Sequence, residues 1–221
     1  MSIPIRILTA AALCLGGVLA IGAAGALLFL AAFTLLSVRS ARLLPERDRT
    51  TVDGVTTIDD AVAACRASGL VGLELAAYAQ SLAARKIKYS RRNPWDSWAR
   101  SFERGMGYCI QQGMALKSLL DRLGIEAVPV QSFRCAFPPA IVHGVPEPAG
   151  VSGHLWLRVR VDGKEYDVCP GKETNRPGVV HFAVLSPVRR VRAWTIPILH
   201  VFCAAENVRR DWKNLFARSG T

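Results

Sequence analysis

The fold is decided by the stretch Gly107–Gly124, which reads GYCIQQGMALKSLLDRLG. Its leucines recur at helical spacing and form one apolar stripe: Leu116, Leu119, Leu120 and Leu123. The spacing predicts a helix that buries this stripe, with Cys109 in the first turn on the same face. Gly124 stands where a left-handed C-terminal residue is expected. Gly113 costs helix stability in the interior, and it therefore indicates a close contact with a sheet.

Two interpretations of Cys109 are open. A cysteine at a helix N-terminus meets unpaired backbone N–H groups and the positive end of the helix dipole, and both favour the nucleophilic thiolate. A free cysteine is also a small apolar side chain that packs well in a core. The helix alone does not decide between a nucleophile and a packing residue.

The composition indicates the class of partner. The 221 residues include 28 lysines and arginines against 17 aspartates and glutamates, which gives a net charge of +11. This excess favours anionic lipid or an acidic substrate. No nucleic-acid motif accompanies it, so we expect no nucleic-acid partner.

The six cysteines show neither a C-x-x-C pair nor regular spacing, which argues against a zinc site. No metal or organic cofactor is implied. If Cys14 lies in a membrane and Cys109 is a free thiol, four cysteines remain, and whether they form disulfides stays open: Cys65, Cys135, Cys169 and Cys203.

The N-terminal segment predicts a membrane anchor. No charged residue occurs from Ile7 to Val38, whereas about 20 apolar residues suffice to cross the hydrocarbon core. The apolar region of a cleaved signal peptide is usually only about 7–15 residues. We therefore expect a single-pass transmembrane helix over 1–39, a charged linker over 40–56 and one domain over 57–221. Four arginines follow the span, and the positive-inside rule then puts the domain on the cytoplasmic side of the cell membrane: Arg39, Arg42, Arg47 and Arg49.

The domain begins with two predicted helices. Thr57 resembles an N-cap with Asp60 three residues on, and the helix that it opens ends at Gly69. A second helix is expected over Val71–Ala84. Both are packing elements in front of the Cys109 helix.

After Gly124 the period becomes strand-like over Ile125–Phe133. The following segment, Arg134–Gly153, is rich in proline and glycine and predicts a long surface loop, the kind that often forms a lid. His143 lies in it and is expected to be solvated.

A β-hairpin is predicted over Ser152–Pro170, with Asp162-Gly163 at its turn. Alternation puts four apolar residues on a core face: Leu155, Leu157, Val159 and Val161. The other face, which we expect outside the core, carries His154, Trp156, Arg158 and Arg160. His154 thus opens the hairpin on its non-core face.

The C-terminal part predicts a strand over Val179–Ser186, an apolar core or interfacial segment over Trp194–Ala205, and a basic helix over Glu206–Arg218. His181 and His200 have no accompanying catalytic pattern. We expect each to be a packed strand histidine.

Taken together, a glycine-flanked cysteine at a helix start, a Leu-Gly-Ile-Glu-Ala exit and a His-x-Trp hairpin resemble the transglutaminase-like domain of the papain-like cysteine fold. The likeness covers roughly Lys86–Pro170 and includes an Ile-x-Tyr element at Ile87 and Tyr89. The resemblance implies an α+β domain with a helical N-terminal part and an antiparallel sheet. It also implies that Cys109 is the nucleophile and His154 the general base and acid.

The third site residue departs from this pattern. The family often has an aspartate about fifteen residues after the histidine, where this chain has Cys169 before Pro170. Asp167 lies on the same strand face, two residues earlier. With a two-residue turn it pairs with Arg158, too far from His154; with a wider loop or a bulge it reaches the imidazole. We favour the second register, which gives Cys109, His154 and Asp167 as the site.

The sequence therefore predicts a membrane-anchored, thiol-dependent amide hydrolase or acyltransferase that acts on a peptide or protein. The alternative is a catalytically inactive binding module on the same scaffold, which holds a peptide or another ligand. A redox or metal-thiol protein fits the cysteine spacing less well.

Overall fold

The computed structural model describes residues 22–28, 31, 48–91, 93–142 and 145–204. Residues 22–28 and 31 are helical. Within the described ranges, no helix combines the length and the apolar character needed to cross a bilayer. Most of the expected anchor, the first part of the linker, His143 and the expected helix Glu206–Arg218 lie outside these ranges.

Four helices form the N-terminal half of the described domain: α1 (Ile58–Ala67), α2 (Gly72–Lys86), α3 (Trp98–Arg104) and α4 (Cys109–Arg122). Thr57 caps α1, because its side chain accepts from the Asp60 N–H while the Asp60 carboxylate accepts from the Thr57 N–H. Gly69 follows α1 with a left-handed φ of 68°. The predicted cap and both predicted helices are confirmed, with α2 two residues longer at its end.

The strands form one main sheet and two small pairs: β1 (Lys88–Tyr89), β2 (Met106–Gly107), β3 (Ala127–Phe137), β4 (Ala140–Val142), β5 (Val145–Glu147), β6 (Gly150–Val161), β7 (Lys164–Val168), β8 (Ala183–Val184) and β9 (Arg189–Arg190). The main sheet is antiparallel, with the order β7-β6-β3-β8 and with β9 also paired to β3. β1 and β2 pair in parallel, and β4 and β5 form a separate hairpin. Helices and antiparallel strands make this an α+β fold.

The predicted Cys109 helix lies at the centre of the molecule. Leu116, Leu119 and Leu120 are fully buried in the main core, between the other helices and the sheet. A Cβ placed on Gly113 would lie 2.8 Å from Leu155 Cδ2, too close for any larger residue to fit without rearrangement. The close contact between α4 and the sheet that Gly113 indicated is thus present.

The prediction that Arg134–Gly153 forms a long surface loop is wrong. β3 continues to Phe137, the β4–β5 hairpin follows, and β6 begins at Gly150. Prolines are tolerated here because Pro138 and Pro139 lie between strands and Pro146 lies in a two-stranded pair, where few ladder hydrogen bonds are needed.

The later segments are less regular than predicted. The strand expected over Val179–Ser186 shrinks to β8, and His181 precedes it outside any strand. A 3₁₀ turn at Ala193–Thr195 leads into a helix over 196–204. His200 therefore lies in a helix, where its Nδ1 is 2.8 Å from the buried Tyr108 hydroxyl.

The non-core assignment of His154 and Trp156 needs correction. Trp156 is fully buried in a second cluster with Val130, Cys135, Cys169 and Phe182. The chain around Phe182 returns to cover this half of the sheet face, and alternation along β6 carries no information about a segment so distant in sequence.

Candidate active site

Cys109 is the first residue of α4, after the extended N-cap residue Tyr108. The backbone N–H of Tyr108 donates to Gln111 Oε1 over 3.1 Å, and the Gln111 amide donates to the carbonyl of Asp96 over 2.8 Å. The next side chain, Gln112, donates to the Ile87 carbonyl over 2.9 Å. Buried amides therefore fix the start of this helix against the strands and turns around it.

The environment of the Cys109 sulfur combines opposing effects. Burial raises the pKa of the thiol, while hydrogen bonds from the backbone N–H groups of Leu155, Ile110 and Cys109 itself lower it, and burial is the larger effect. Desolvation thus outweighs the backbone donors at the helix N-terminus, which alone does not decide between a nucleophile and a packing residue. The hydrogen bond from the Leu155 N–H nonetheless holds the sulfur beside β6, the strand that carries His154.

His154 lies near the start of β6, opposite Ser132 on β3. A bulge in β3 between Ser132 and Cys135 interrupts the ladder beside it. Its ring meets Phe182 edge-on, at 4.6 Å between centroids, and Phe137 at 5.3 Å. Burial, and next the neighbouring His181, lower the pKa of His154 to about 3, so the imidazole is neutral at physiological pH.

One polar partner of His154 is a thiol: its Nε2 lies 3.4 Å from the sulfur of Cys169. Cys169 is buried, and burial raises its pKa to about 12. It occupies the position, fifteen residues after the histidine, where the transglutaminase-like pattern has an aspartate.

Asp167 lies elsewhere. The turn at Asp162 and Gly163 is tight, with φ values of 50° and 74°, and the ladder pairs Asp167 with Arg158. The Arg158 Nε donates to the Asp167 carboxylate over 2.9 Å. The wider or bulged turn that we favoured is therefore wrong, and Asp167 meets Arg158, four residues along β6 from His154.

Sequence reasoning missed a second polar pair near the site. His181 is half-buried, and its Nδ1 lies 2.9 Å from the side-chain amide nitrogen of Asn175. Its ring centroid is 6.3 Å from that of His154. Burial, and next Lys172, lower the pKa of His181 to about 4. Asn175 and His181 lie in an irregular segment, where no periodic pattern could have indicated them.

Cys109, His154 and His181 line one cleft of about 520 Å³. Most of the other lining residues lie between the end of β3 and the first part of β6: Phe137, Pro138, Ala140, Glu147, Pro148, Ala149, Gly150, Val151, Ser152 and Gly153. Asp167 is not among the lining residues. The segment that the sequence marked as a lid thus forms a wall of the site, although as strands.

Tyr89 also lines the cleft and is electrostatically coupled to Cys109. The Arg91 side chain hydrogen-bonds to the Tyr89 hydroxyl and pairs with Glu147 over 3.1 Å. Because the arginine donates, the phenol hydrogen stays available to a bound group.

The cysteines are free thiols at every described position, with Cys109 and Cys203 half-buried and Cys65, Cys135 and Cys169 buried. Over the same part of the chain, no three His, Cys, Asp or Glu side chains are grouped as metal ligands.

Comparisons with known proteins add little. No family model matches the chain, and no curated protein matches it. Among solved structures it is similar to a "Putative Cysteine Protease from Cytophaga hutchinsonii", with a TM-score of 0.38 and 9% identity over 61% of this chain. The chain spans about half the length of that protein, 49%.

Proposed function

We propose that this protein is a thiol-dependent acyl-transfer enzyme, either an amide hydrolase or an acyltransferase, that works through an acyl-enzyme on Cys109. The observation that supports it most is that Cys109 and His154 line one cleft and that the Leu155 N–H donates to the Cys109 sulfur. Cys169 is a poorer candidate for the nucleophile, because it is buried behind His154 and does not line the cleft.

The reaction follows from these positions. The Cys109 sulfur attacks the carbonyl carbon of an amide while its proton moves to His154. His154 then gives this proton to the leaving nitrogen, the C–N bond breaks, and a thioester remains on Cys109. Water regenerates the thiol in a hydrolase, and an acceptor amine or hydroxyl does so in an acyltransferase.

Two groups suit the oxyanion of the tetrahedral intermediate. One is the backbone N–H of Cys109, which belongs to the first turn and donates to the cysteine's own sulfur rather than to a helix carbonyl. The other is the Tyr89 hydroxyl, whose oxygen already accepts from Arg91 and whose hydrogen can point into the cleft.

The cleft favours an extended peptide or protein segment as the acyl donor. Residues 147–153 line the same cleft as Cys109, and an extended chain can lie against their backbone groups. The apolar side chains Phe137, Pro138 and Ala140 offer contacts for its side chains.

The strongest second candidate is a catalytically inactive peptide-binding module. The neutral state of the site favours it: burial raises the pKa of Cys109, and burial lowers that of His154 to about 3. A resting thiol and a resting imidazole are weaker partners than an ion pair.

Acyl-enzyme trapping on the full chain separates the two candidates. We expect peptide amides or thioesters to leave a hydroxylamine-sensitive adduct on Cys109, found by mass spectrometry of the intact chain and its digest. Cys109→Ala removes the adduct, whereas Cys203→Ala, which changes another half-buried thiol, retains it. Peptide binding with no adduct on Cys109 for any donor class would establish the binding module.

Membrane anchoring through 1–39, with the domain on the cytoplasmic side, remains a separate proposal. Its support is the uncharged run from Ile7 to Val38 and the arginines after it. Protease added to spheroplasts is expected to spare the domain. Digestion of the domain there would reverse the orientation and leave the catalytic proposal intact.

A further inference from the structure

We infer that the Cys169 thiol is the positioning residue of His154. The site then has a neutral thiol where the transglutaminase-like pattern that it resembles has a carboxylate. The inference rests on the proposed function for its catalytic meaning. The contact itself, 3.4 Å from His154 Nε2 to Cys169 Sγ, does not depend on that function.

The surroundings of Cys169 hold it in place from both sides. Its backbone carbonyl accepts from the Asn175 amide over 2.8 Å and from the buried Gln80 amide over 3.1 Å. Its sulfur accepts from the Gly171 N–H over 3.4 Å. Two side-chain amides and one backbone donor thus fix a side chain that would otherwise be one more buried thiol.

Gly171 supplies the space that this arrangement needs. A Cβ at that position would lie 3.3 Å from the Cys169 sulfur and 2.9 Å from His181 Cε1. A larger residue would therefore push the sulfur or the second histidine out of position. The glycine is required by close approach.

The contact determines which ring nitrogen of His154 can exchange a proton with Cys109. With Nε2 against Cys169, only Nδ1 remains to exchange a proton with Cys109. The tautomer that accepts this proton carries its hydrogen on Nε2 and donates it to the Cys169 sulfur. A thiol can also donate to Nε2, which gives the unproductive tautomer, whereas a carboxylate only accepts.

A neutral partner also removes the stabilisation that an imidazolium would gain from a carboxylate. The titratable groups that act on this pair are Cys109 on α4, Cys135 on β3 and His181 after β7, and Lys172 in turn acts on His181. None of them is an anion at neutral pH when the thiols are protonated. The site therefore rests as thiol and imidazole, and its charge separation is confined to the reaction itself.

The experiment compares Cys169→Ala, Cys169→Ser and Cys169→Asp in the full chain. Cys169→Ala should lower kcat at least about tenfold with little change in KM, because the base loses its orientation and contributes less of its roughly 10²–10⁴-fold effect. Cys169→Ser, which keeps a donor and acceptor, should restore most of the rate. Cys169→Asp should move the pH at which iodoacetamide labels Cys109 down by about 1–3 units, because a carboxylate stabilises the imidazolium that in turn stabilises the thiolate.

Cys135→Ala is the matched control, since it removes another fully buried thiol of the same core cluster, whereas the sulfur against His154 Nε2 is that of Cys169. Ring ¹⁵N shifts of His154 give a readout without catalysis: the Nε2 signal should change in Cys169→Ala and stay in Cys135→Ala. Unchanged shifts and an unchanged labelling profile in folded Cys169→Ala and Cys169→Asp would overturn the inference. A changed Nε2 signal in a protein that forms no acyl-enzyme would instead uphold the contact and reject the proposed function.

Discussion

The two ends of one face of β6 lie in different environments. His154 and Trp156 are enclosed by aromatic rings, and Trp156 is fully buried. Arg158 and Arg160 continue the same alternation; the first is half-buried, the second is exposed, and both pair with acids on β7. One end holds the candidate chemistry, and the other is an ordinary solvated sheet surface.

The difference arises from a segment far along the chain. Phe182 stacks edge-on against Trp156, at 5.1 Å between centroids, and β8 pairs with the far end of β3. These contacts enclose His154 but stop short of Arg158. Alternation along β6 thus defines which side chains share a face, while a later segment decides which of them are buried.

The two ends of the β6 face should differ most in what their substitution does to the catalytic rate. His154→Ala should lower the rate about 10²–10⁴-fold, because it removes the proposed general base and acid. Arg158→Ala, on the same face and four residues along, should leave the rate near the wild-type value. Both rates are measured with the donor that gives the Cys109 acyl-enzyme.

A reversed result would move the base to the second histidine. If His181→Ala abolishes activity while His154→Ala retains it, the pair formed by Asn175 and His181 takes the catalytic role. The buried end would still hold the chemistry, but its assignment would change.

The second prediction concerns Phe182, whose ring covers His154 and Trp156. Phe182→Ala should destabilise the protein by roughly 3 kcal/mol, the lower range for truncating a buried phenylalanine, as measured by urea unfolding. Its loss exposes the imidazole, so the pKa of His154 should rise from about 3 toward its ordinary value. Val184→Ala, two residues on but 40% exposed, is the control and should change stability by at most about 0.5 kcal/mol.

An unchanged His154 titration in folded Phe182→Ala would show that the depressed pKa has another origin. The neighbouring His181, the second cause of the shift, would then be the first group to replace.

A third prediction uses pH. Burial lowers the pKa of His154 to about 3, of His181 to about 4 and of His200 to about 4. Since these values lie below the ordinary value of about 6.5, the unfolded chain binds protons that the folded chain excludes. The stabilisation is complete above about pH 6.5 and is lost as pH falls from about 6.5 to about 4 for His181 and His200, and to about 3 for His154.

The measurement is the free energy of unfolding in urea at about pH 7.5 and pH 5. Each histidine should contribute at most about 1.4 kcal/mol of loss per pH unit within the window. His200→Gln should make the profile shallower, because it removes one of the three buried neutral rings. A flat profile between these two pH values would mean that the histidines are not buried as neutral rings.

The candidate site was predictable where local patterns determine it. The helix from Cys109, the sheet contact at Gly113 and the hairpin that carries His154 follow from spacing, period and turn residues. Each is fixed by residues close in sequence, so the pattern contained the information.

The remaining parts of the site depend on long-range packing. His181, paired with Asn175, reaches the cleft from an irregular segment, and Phe182 covers a face that alternation placed outside the core. The position of Cys169 was visible in the spacing, yet its meaning required the contact with His154. The wider turn that we favoured lost to the strong preference of Asp-Gly for a tight hairpin.

The smallest expected effect concerns Asp167, at the exposed end. Its pair with Arg158 is partly solvated, with side-chain exposures of 29% and 34%, and such pairs are worth at most about 1 kcal/mol. Asp167→Asn should therefore change stability by less than about 1 kcal/mol and leave both the acyl-transfer rate and the ring ¹⁵N shifts of His154 unaltered. Glu165→Gln, which removes the neighbouring acid on β7, is the control for a purely surface change.

A loss of rate by orders of magnitude in folded Asp167→Asn, with Glu165→Gln normal, would mean that the carboxylate reaches His154 during turnover. The two ends of the strand face would then act together, and Cys169 would not be the sole group that positions the imidazole.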